Sequence, residues 1–325
     1  MRYAVFDLGS NSIKFLVVET RGEQGRFGVL CERSIPTRLA ENLIDTAVLR
    51  PEAMTRTIEA LRELRAEAAA LGVEKFRAVA TSAVRDSRNR REFLKAARAV
   101  LGFPVRLLSG TEEAETIFAG VMADTYWRER DLFILDIGGG SAEWVQGGRG
   151  KLERRLSLPL GAVRLRERFL HHYPVDSDTA LLLIETVREQ LRHPLAHYEL
   201  GARRLVATGG TATCLAAIHK VLPDFDPRKV DHSTFTVEQI RALLRSFTGK
   251  TLHALKQIPG LPPKRADLII PGTAVLLATM ELLGAKRVSV SVRGLRYGVL
   301  TTLMRDDENI DHSARHASAR RHTTT

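Results

Sequence analysis

The chain holds 325 residues, about twice the ~150 of a typical domain, so two domains are expected. With 44% hydrophobic and 27% charged residues it can bury ordinary cores, and no apolar run approaches the ~18 residues of a membrane span. Forty-nine Lys and Arg against 38 Asp and Glu give a net charge of +11, which favours a polyanionic substrate or partner. Aromatic residues make up only 6%, and no zinc-finger or RNA-binding signature is present, so a nucleic-acid partner is not expected. Cys31 and Cys214 make neither a disulfide framework nor a zinc site, which suits a reducing cytoplasm. Asp7, Ser10, Asn11, Ser12 and Lys14 interrupt the first apolar stretch, so it is not a secretion signal.

In chain order, Tyr3 to Asp7 and Ile13 to Glu19 read as a β-hairpin around a polar tip at Leu8–Ser12. Pro51 to Leu71 reads as a helix, with Met54, Ile58, Leu61, Ala68 and Leu71 on one face and Gly72 as its stop. Phe76–Thr81 is a buried strand, Asn89–Leu101 a helix closed by Gly102, and Val105–Leu108 a strand running into a helix that ends near Ala123. The pattern then restarts. Asp131–Asp136 and Ala142–Gln146 are strands around the turn Gly138–Ser141, and Arg204–Ala207 is a strand entering Thr208–Thr211 and a helix from Ala212 to His219.

Two segments of the first half recur in the second. Phe6-Asp7-x-Gly9-x-x-Ser12 matches Leu135-Asp136-x-Gly138-x-x-Ser141 at a lag of 129, and Val79-Ala80-Thr81 matches Val206-Ala207-Thr208 at a lag of 127. Two matches in one order at nearly one lag predict a duplicated α/β domain. The expected division is residues 1–123, residues 124–305, and a closing segment 306–325. That last segment is polar, His- and Arg-rich and without apolar periodicity, so it reads as a disordered basic tail. Facing halves leave a cleft in which Asp7 and Asp136 look at each other.

Glycine-rich turns let backbone N–H groups reach phosphate oxygens, and the chain has three: Gly9–Ser12, Gly138–Ser141 and Gly209–Thr211. The third opens a helix, whose exposed N–H groups favour an anion. None fits the Walker or dinucleotide pattern. Carboxylates beside bound phosphate require an intervening cation, so Asp7, Asp136 and Glu143 imply Mg²⁺ or a similar hard ion, Mn²⁺ being the alternate. Ser109-x-x-Glu112 fits a capping box, which gives Glu112 a structural role. Glu113 lies about 100° further round the helix and is left as the candidate general base. Arg85 follows a strand end and reads either as a phosphate clamp or as the partner of adjoining Asp86.

Phe6–Ser12, Ala80–Arg85, Ser109–Ala114, Asp136–Glu143 and Thr208–Thr211 occur in the order of a known family. They resemble the exopolyphosphatase / guanosine pentaphosphate phosphatase family, of the superfamily that includes actin-like proteins, sugar kinases and heat-shock chaperones. The resemblance implies duplicated actin-like (ribonuclease H-like) α/β domains, a homodimer, and Mg²⁺-dependent release of terminal phosphate. The substrate would be inorganic polyphosphate, with short chains favoured, or guanosine pentaphosphate. It maps catalysis onto Glu113 and the metal site onto Asp136, Glu143 and Asp7. Substrate contacts map onto Ser10, Asn11, Ser12, Lys14, Arg85, Gly138, Gly139, Gly140, Ser141, Gly209, Gly210 and Thr211. Lys14 stands where the family often has Arg or His, and Tyr297 replaces the usual acid in Gly294–Gly298. The extra C-terminal helical domains of long members are not expected. A kinase of the same superfamily and a regulatory binder of guanosine tetraphosphate are the rival readings.

Overall fold

The computed structural model describes residues 1–20 and 27–321, with side chains described through residue 309. The first sheet contains β1 (Arg2–Leu8), β2 (Ser12–Thr20), β3 (Phe27–Pro36), β4 (Lys75–Ala80) and β5 (Val105–Leu107), in the order β3-β2-β1-β4-β5. The second contains β6 (Asp131–Ile137), β7 (Ala142–Gly148), β8 (Lys151–Leu158), β9 (Arg204–Thr208), β10 (Thr234–Thr236) and β11 (Arg287–Val290), in the order β10-β11-β9-β6-β7-β8. Each begins with an antiparallel three-strand meander, whose first strand then pairs in parallel with a later one, β1 with β4 and β6 with β9. The orders β3-β2-β1-β4-β5 and β8-β7-β6-β9-β11 correspond strand for strand, so the sequence echo is a duplication of architecture, as the resemblance implied.

Strand periodicity explains the layers. Successive side chains of a strand point to opposite faces. Tyr3 and Val5 of β1, and Leu132 and Ile134 of β6, join one apolar cluster between the sheets, together with Ile117, Val121 and Leu300. Ala4, Phe6 and Leu8 face outward against the helices Pro51–Ala70 and Arg90–Leu101. Phe133, Leu135 and Ile137 face outward against Ser177–Arg192, Gly209–His219 and Ile269–Leu282. The central layer is the helix Gly110–Met122 crossing the helix Leu295–Arg321. Both sheets are therefore covered on both faces, which is why β1 and β6 read as near-continuous apolar runs.

The central helices meet backbone to backbone. A Cβ on Gly120 would lie 2.1 Å from the Gly294 carbonyl oxygen and 2.8 Å from the Gly298 nitrogen. The lobes are also joined by Arg293, whose guanidinium donates to the Ala123 carbonyl at 2.7 Å.

The closing segment corrects one expectation. The helix from Leu295 passes through Asp306 and continues to Arg321, so the chain from Asp306 onward does not start as a disordered tail. Asp307 is buried, accepts from the Tyr3 hydroxyl at 2.9 Å and pairs with Lys75, while Asp306 pairs with Arg77 at 2.8 Å. Ion pairs to the first sheet, rather than an apolar stripe, hold this part of the helix. Residues 322–325 of that segment lie outside the described residues. Among the described residues, no helix is long and apolar enough to cross a membrane.

The glycine crossing predicts its own sensitivity. Gly120→Ala forces two helix backbones apart and should destabilise the protein by about 1–3 kcal/mol, read as a lower midpoint in thermal or urea unfolding.

Candidate active site

The same period of two that builds the layers also aims the charged residues. Asp7 shares its face of β1 with Tyr3 and Val5, and Asp136 shares its face of β6 with Leu132 and Ile134, so both turn toward the space between the sheets. On the second strand of each hairpin, Lys14 lies directly across from Asp7 and Glu143 directly across from Asp136. Lys14 and Glu143 are themselves separated by 129 positions, so the duplicated site carries a cation in one lobe and an acid in the other.

A cavity of about 70 Å³ sits where these residues meet. Asp7, Ser10, Asn11, Ser12, Lys14 and Glu113 line it from the first lobe, and Asp136, Gly138, Gly139, Ser141, Glu143, Gly210 and Thr211 from the second. Gly209 lines an adjoining cavity, and Gly140 packs against Ser10 and Ser82 at the lobe junction. Arg85 is not on the wall of either cavity. The structure adds Thr81 and Ser82, which line the wall at the end of β4. Their signal in the sequence is the echo of Thr81 by Thr208.

Glu113 is positioned by the start of its helix. Ser109 Oγ accepts from the Glu112 N–H at 3.2 Å, and Glu112 Oε2 accepts from the Ser109 N–H at 2.8 Å, a complete capping box. With Glu112 occupied outside, the next residue turns inward, and Glu113 is only 6% exposed. Arg85 donates to Glu113 Oε2 at 3.1 Å and to the Leu108 carbonyl at 2.9 Å. Of the two sequence-based alternatives for Arg85, the Asp86 contact exists at 3.8 Å, but the shorter bond is to Glu113.

Four carboxylates in one cleft disfavour ionisation. Burial raises Glu113 to about 7, with Asp7 and Asp136 adding to the rise and Arg85 opposing it. Burial also raises Asp7, Asp136 and Glu143. Lys14 opposes the shift at both aspartates, and Glu113 and Asp136 reinforce it at Glu143. Glu143 accepts from Ser157 Oγ at 2.8 Å, and Lys14 Nζ lies 3.7 Å from Asp7 Oδ2. One oxygen of Asp7 and one of Asp136, Oδ1 in each, are buried without a hydrogen-bond partner. Hard oxygen atoms without protein donors, one from each lobe, suit a divalent cation such as Mg²⁺. Gly209 permits this arrangement: its φ is +86°, and a Cβ there would lie 2.3 Å from Asp136 Oδ1.

A larger cavity, about 340 Å³, opens beside the first and shares Lys14, Asp136, Gly210, Arg265 and Leu295 with it. Its wall combines Phe225, Pro227, Pro262 and Val292 with Arg33, Lys264 and Arg265. Arg265 lies against the Gly210 backbone, with its guanidinium occupying the space that a side chain there would need. Sequence reasoning did not select Lys264 or Arg265, because they come from a proline-bounded 3₁₀ turn, Pro263–Leu268, with no glycine or motif of its own.

Comparison with known proteins bears on this geometry. A family model described as the Ppx/GppA phosphatase family matches residues 16–307. The chain belongs to that family. The curated Exopolyphosphatase 1 of Mycobacterium tuberculosis H37Rv is 30% identical over 327 residues, spanning 100% of this chain and 94% of its own. The bifunctional 3-dehydroquinate synthase/phosphatase of Fusobacterium nucleatum is 28% identical over 299 residues, which is 89% of this chain and 44% of that longer relative. The crystal structure of the Aquifex aeolicus Ppx/GppA family member superposes with a TM-score of 0.80 at 28% identity, covering 94% of this chain and 98% of the other.

For this Ppx/GppA member, the raised carboxylates make stability depend on pH. Acids whose folded pKa lies above the unfolded value stabilise fully at low pH, and that contribution is lost as pH rises through the folded value, about 7 for Glu113. Above about pH 7, Mg²⁺ should therefore raise the melting midpoint of chelator-treated protein. Asp136→Asn should raise the metal-free midpoint and abolish that Mg²⁺ gain, as read by differential scanning calorimetry.

Proposed function

We propose that this protein is a phosphoanhydride hydrolase that removes the terminal phosphate of inorganic polyphosphate, with Glu113 as general base. The observation that carries the reading is a buried carboxyl, Glu113, on the wall of a cavity of about 70 Å³ between two glycine turns, where burial raises it to about 7. A general base is most effective when its pKa lies near the working pH, and Glu113 alone among the four acids is set off to one side by an arginine. Family membership and the name of the mycobacterial relative support the same reaction class.

In this mechanism the terminal phosphoryl group occupies the smaller cavity. Backbone N–H groups of the glycine turns, the Ser10, Ser12 and Ser141 hydroxyls, and Lys14 face its oxygens. Asp7, Asp136 and Glu143 would hold Mg²⁺ or Mn²⁺, which when bound supplies positive charge to the phosphoryl oxygens. Arg85 engages Glu113 Oε2, so Oε1 is the oxygen that takes a proton from water. The water oxygen forms its bond to phosphorus as the bridging P–O bond breaks, and the shortened chain leaves with the bridging oxygen.

Glu113→Gln keeps size and hydrogen bonding but cannot accept the proton, so kcat should fall by ~10²–10⁴-fold with little change in KM. Phosphate release from tripolyphosphate measures it. The acid limb of the wild-type kcat profile should rise with pH through about 7, because the base works only when ionised. Wild-type turnover in Glu113→Gln would remove Glu113 from the mechanism.

The larger cavity favours a second reading, a guanosine pentaphosphate 5′-phosphohydrolase. Its partly apolar wall at Phe225, Pro227 and Pro262 suits a nucleoside, Lys264 lines the same cavity, and Arg265 lines both cavities against Gly210. Parallel rates on tripolyphosphate, long polyphosphate and guanosine pentaphosphate decide between the two. On the second reading, Phe225→Ala raises KM for the nucleotide and leaves KM for tripolyphosphate unchanged.

A further inference from the structure

We propose that Arg164 is a positioning residue that sets the gap between the two phosphate-binding turns, by tying the glycine turn of the second lobe to the first lobe. Its importance for turnover rests on the phosphohydrolase reading above.

Three observations combine. First, the helix Ala162–Phe169 is bonded to the glycine turn as one unit. The Ala162 N–H donates to the Gly138 carbonyl at 2.9 Å, and those of Val163 and Arg164 donate to the Gly139 carbonyl at 2.8 and 3.2 Å. Second, the Arg164 side chain spans the lobes. Nε donates to the Gly140 carbonyl at 3.1 Å, and Nη2 donates to Asp86 Oδ2 of the first lobe at 2.7 Å. Asp86 directly follows Arg85, which holds Glu113. Third, the turns it links already touch. A Cβ on Gly139 would lie 2.9 Å from Ser10 Cβ, and one on Gly140 would lie 2.5 Å from Ser82 Oγ. The same helix makes a second crossing, where Glu167 Oε1 accepts from the Asn42 N–H at 2.8 Å.

The guanidinium fork makes this link specific to arginine. Nε reads a carbonyl and Nη2 a carboxylate from one rigid plane, a fixed fork that the compact lysine ammonium lacks. The C=O and N–H of a trans peptide point in opposite directions. Holding the Gly140 carbonyl outward thus turns the Ser141 N–H away from Arg164, which lies outside the cavity that Ser141 lines. Arg164 touches neither the phosphate cavity nor its four acids, so its effect is on spacing and not on chemistry.

The test uses Arg164→Met, Arg164→Lys, Asp86→Asn and the Arg164→Met/Asp86→Asn double variant. Hydrogen exchange of residues 9–12 and 138–141 is followed without ligand, alongside tripolyphosphate kinetics. Arg164→Met should speed exchange at 138–141 and raise KM about 10-fold with kcat within about 2-fold. Arg164→Lys and Asp86→Asn should each have a smaller effect, because the pair is partly exposed and screened. The double variant should be no worse than Arg164→Met, since both changes act on one link. Unchanged exchange at 138–141 in Arg164→Met, or additive effects in the double variant, overturns the proposal. Should Arg164→Met not fold, the surface change Asp86→Asn decides in the same way: faster exchange at 138–141 supports the link, and unchanged exchange overturns it. A wild-type protein that releases no phosphate defeats the hydrolase reading, while the exchange result still decides Arg164.

Discussion

The structure depends on holding four carboxylates, Asp7, Glu113, Asp136 and Glu143, in one desolvated cleft, with Lys14 beside Asp7, Arg85 bonded to Glu113 and Arg265 on the same cavity wall. Left to themselves, such groups repel each other and favour protonation, and burial strengthens both effects. The rest of the fold opposes that cost. The buried central strands of two sheets fix the strand ends, a capping box fixes Glu113, and a glycine crossing lets the central helices approach closely. A cation with a polyanionic substrate would complete the charge balance, which gives the rigid scaffold its purpose.

Duplication supplies the geometry, and departures from duplication supply the chemistry. Asp7 and Asp136 are equivalent by strand position, face and turn. Their cross-strand neighbours, Lys14 and Glu143, are opposite in charge. The second lobe therefore offers two acids and a glycine turn, whereas the first offers one acid, an ammonium group and the polar turn Gly9–Ser12. Glu113 has no acidic equivalent in this arrangement, since it comes from a central helix that packs against both lobes. A symmetric cleft would bind a symmetric ligand. Unequal charges suit a phosphate that has one end attached to a chain.

Much of this was legible in the sequence, and the limits have physical causes. The hairpins at Asp7 and Asp136 were readable because apolar runs and glycine turns are local signals. Glu112 and Glu113 could be separated because the capping box fixes which of two neighbours faces out. The strands Phe27–Pro36 and Lys151–Leu158 carry weak patterns because they are half-exposed sheet edges. The closing helix was missed near Asp307 because Tyr3 and Lys75, far away in sequence, hold it. Arg85 could not be assigned, since its choice between Asp86 and Glu113 depends on a helix that arrives 28 residues later. Lys264 and Arg265 reach the cleft only through tertiary packing of a turn that looks ordinary in sequence.

On the proposed mechanism, the position of Arg85 also accounts for how one acid would serve as a base where three others would hold a cation. A carboxyl buried with three like-charged neighbours and no cation of its own would remain protonated and could not accept a proton from water. A carboxyl fully paired with arginine would be ionised but too weak a base to take one. Arg85 meets a single oxygen of Glu113, and the same Nη1 also donates to the Leu108 carbonyl. The result lies between the two extremes, with burial raising Glu113 to about 7 and Arg85 opposing the rise. Lys14 does not reach Glu113 in this way, because it stands across the hairpin from Asp7 and divides its field between the two aspartates. The four acids thus differ less in residue type than in which protein cation stands beside each.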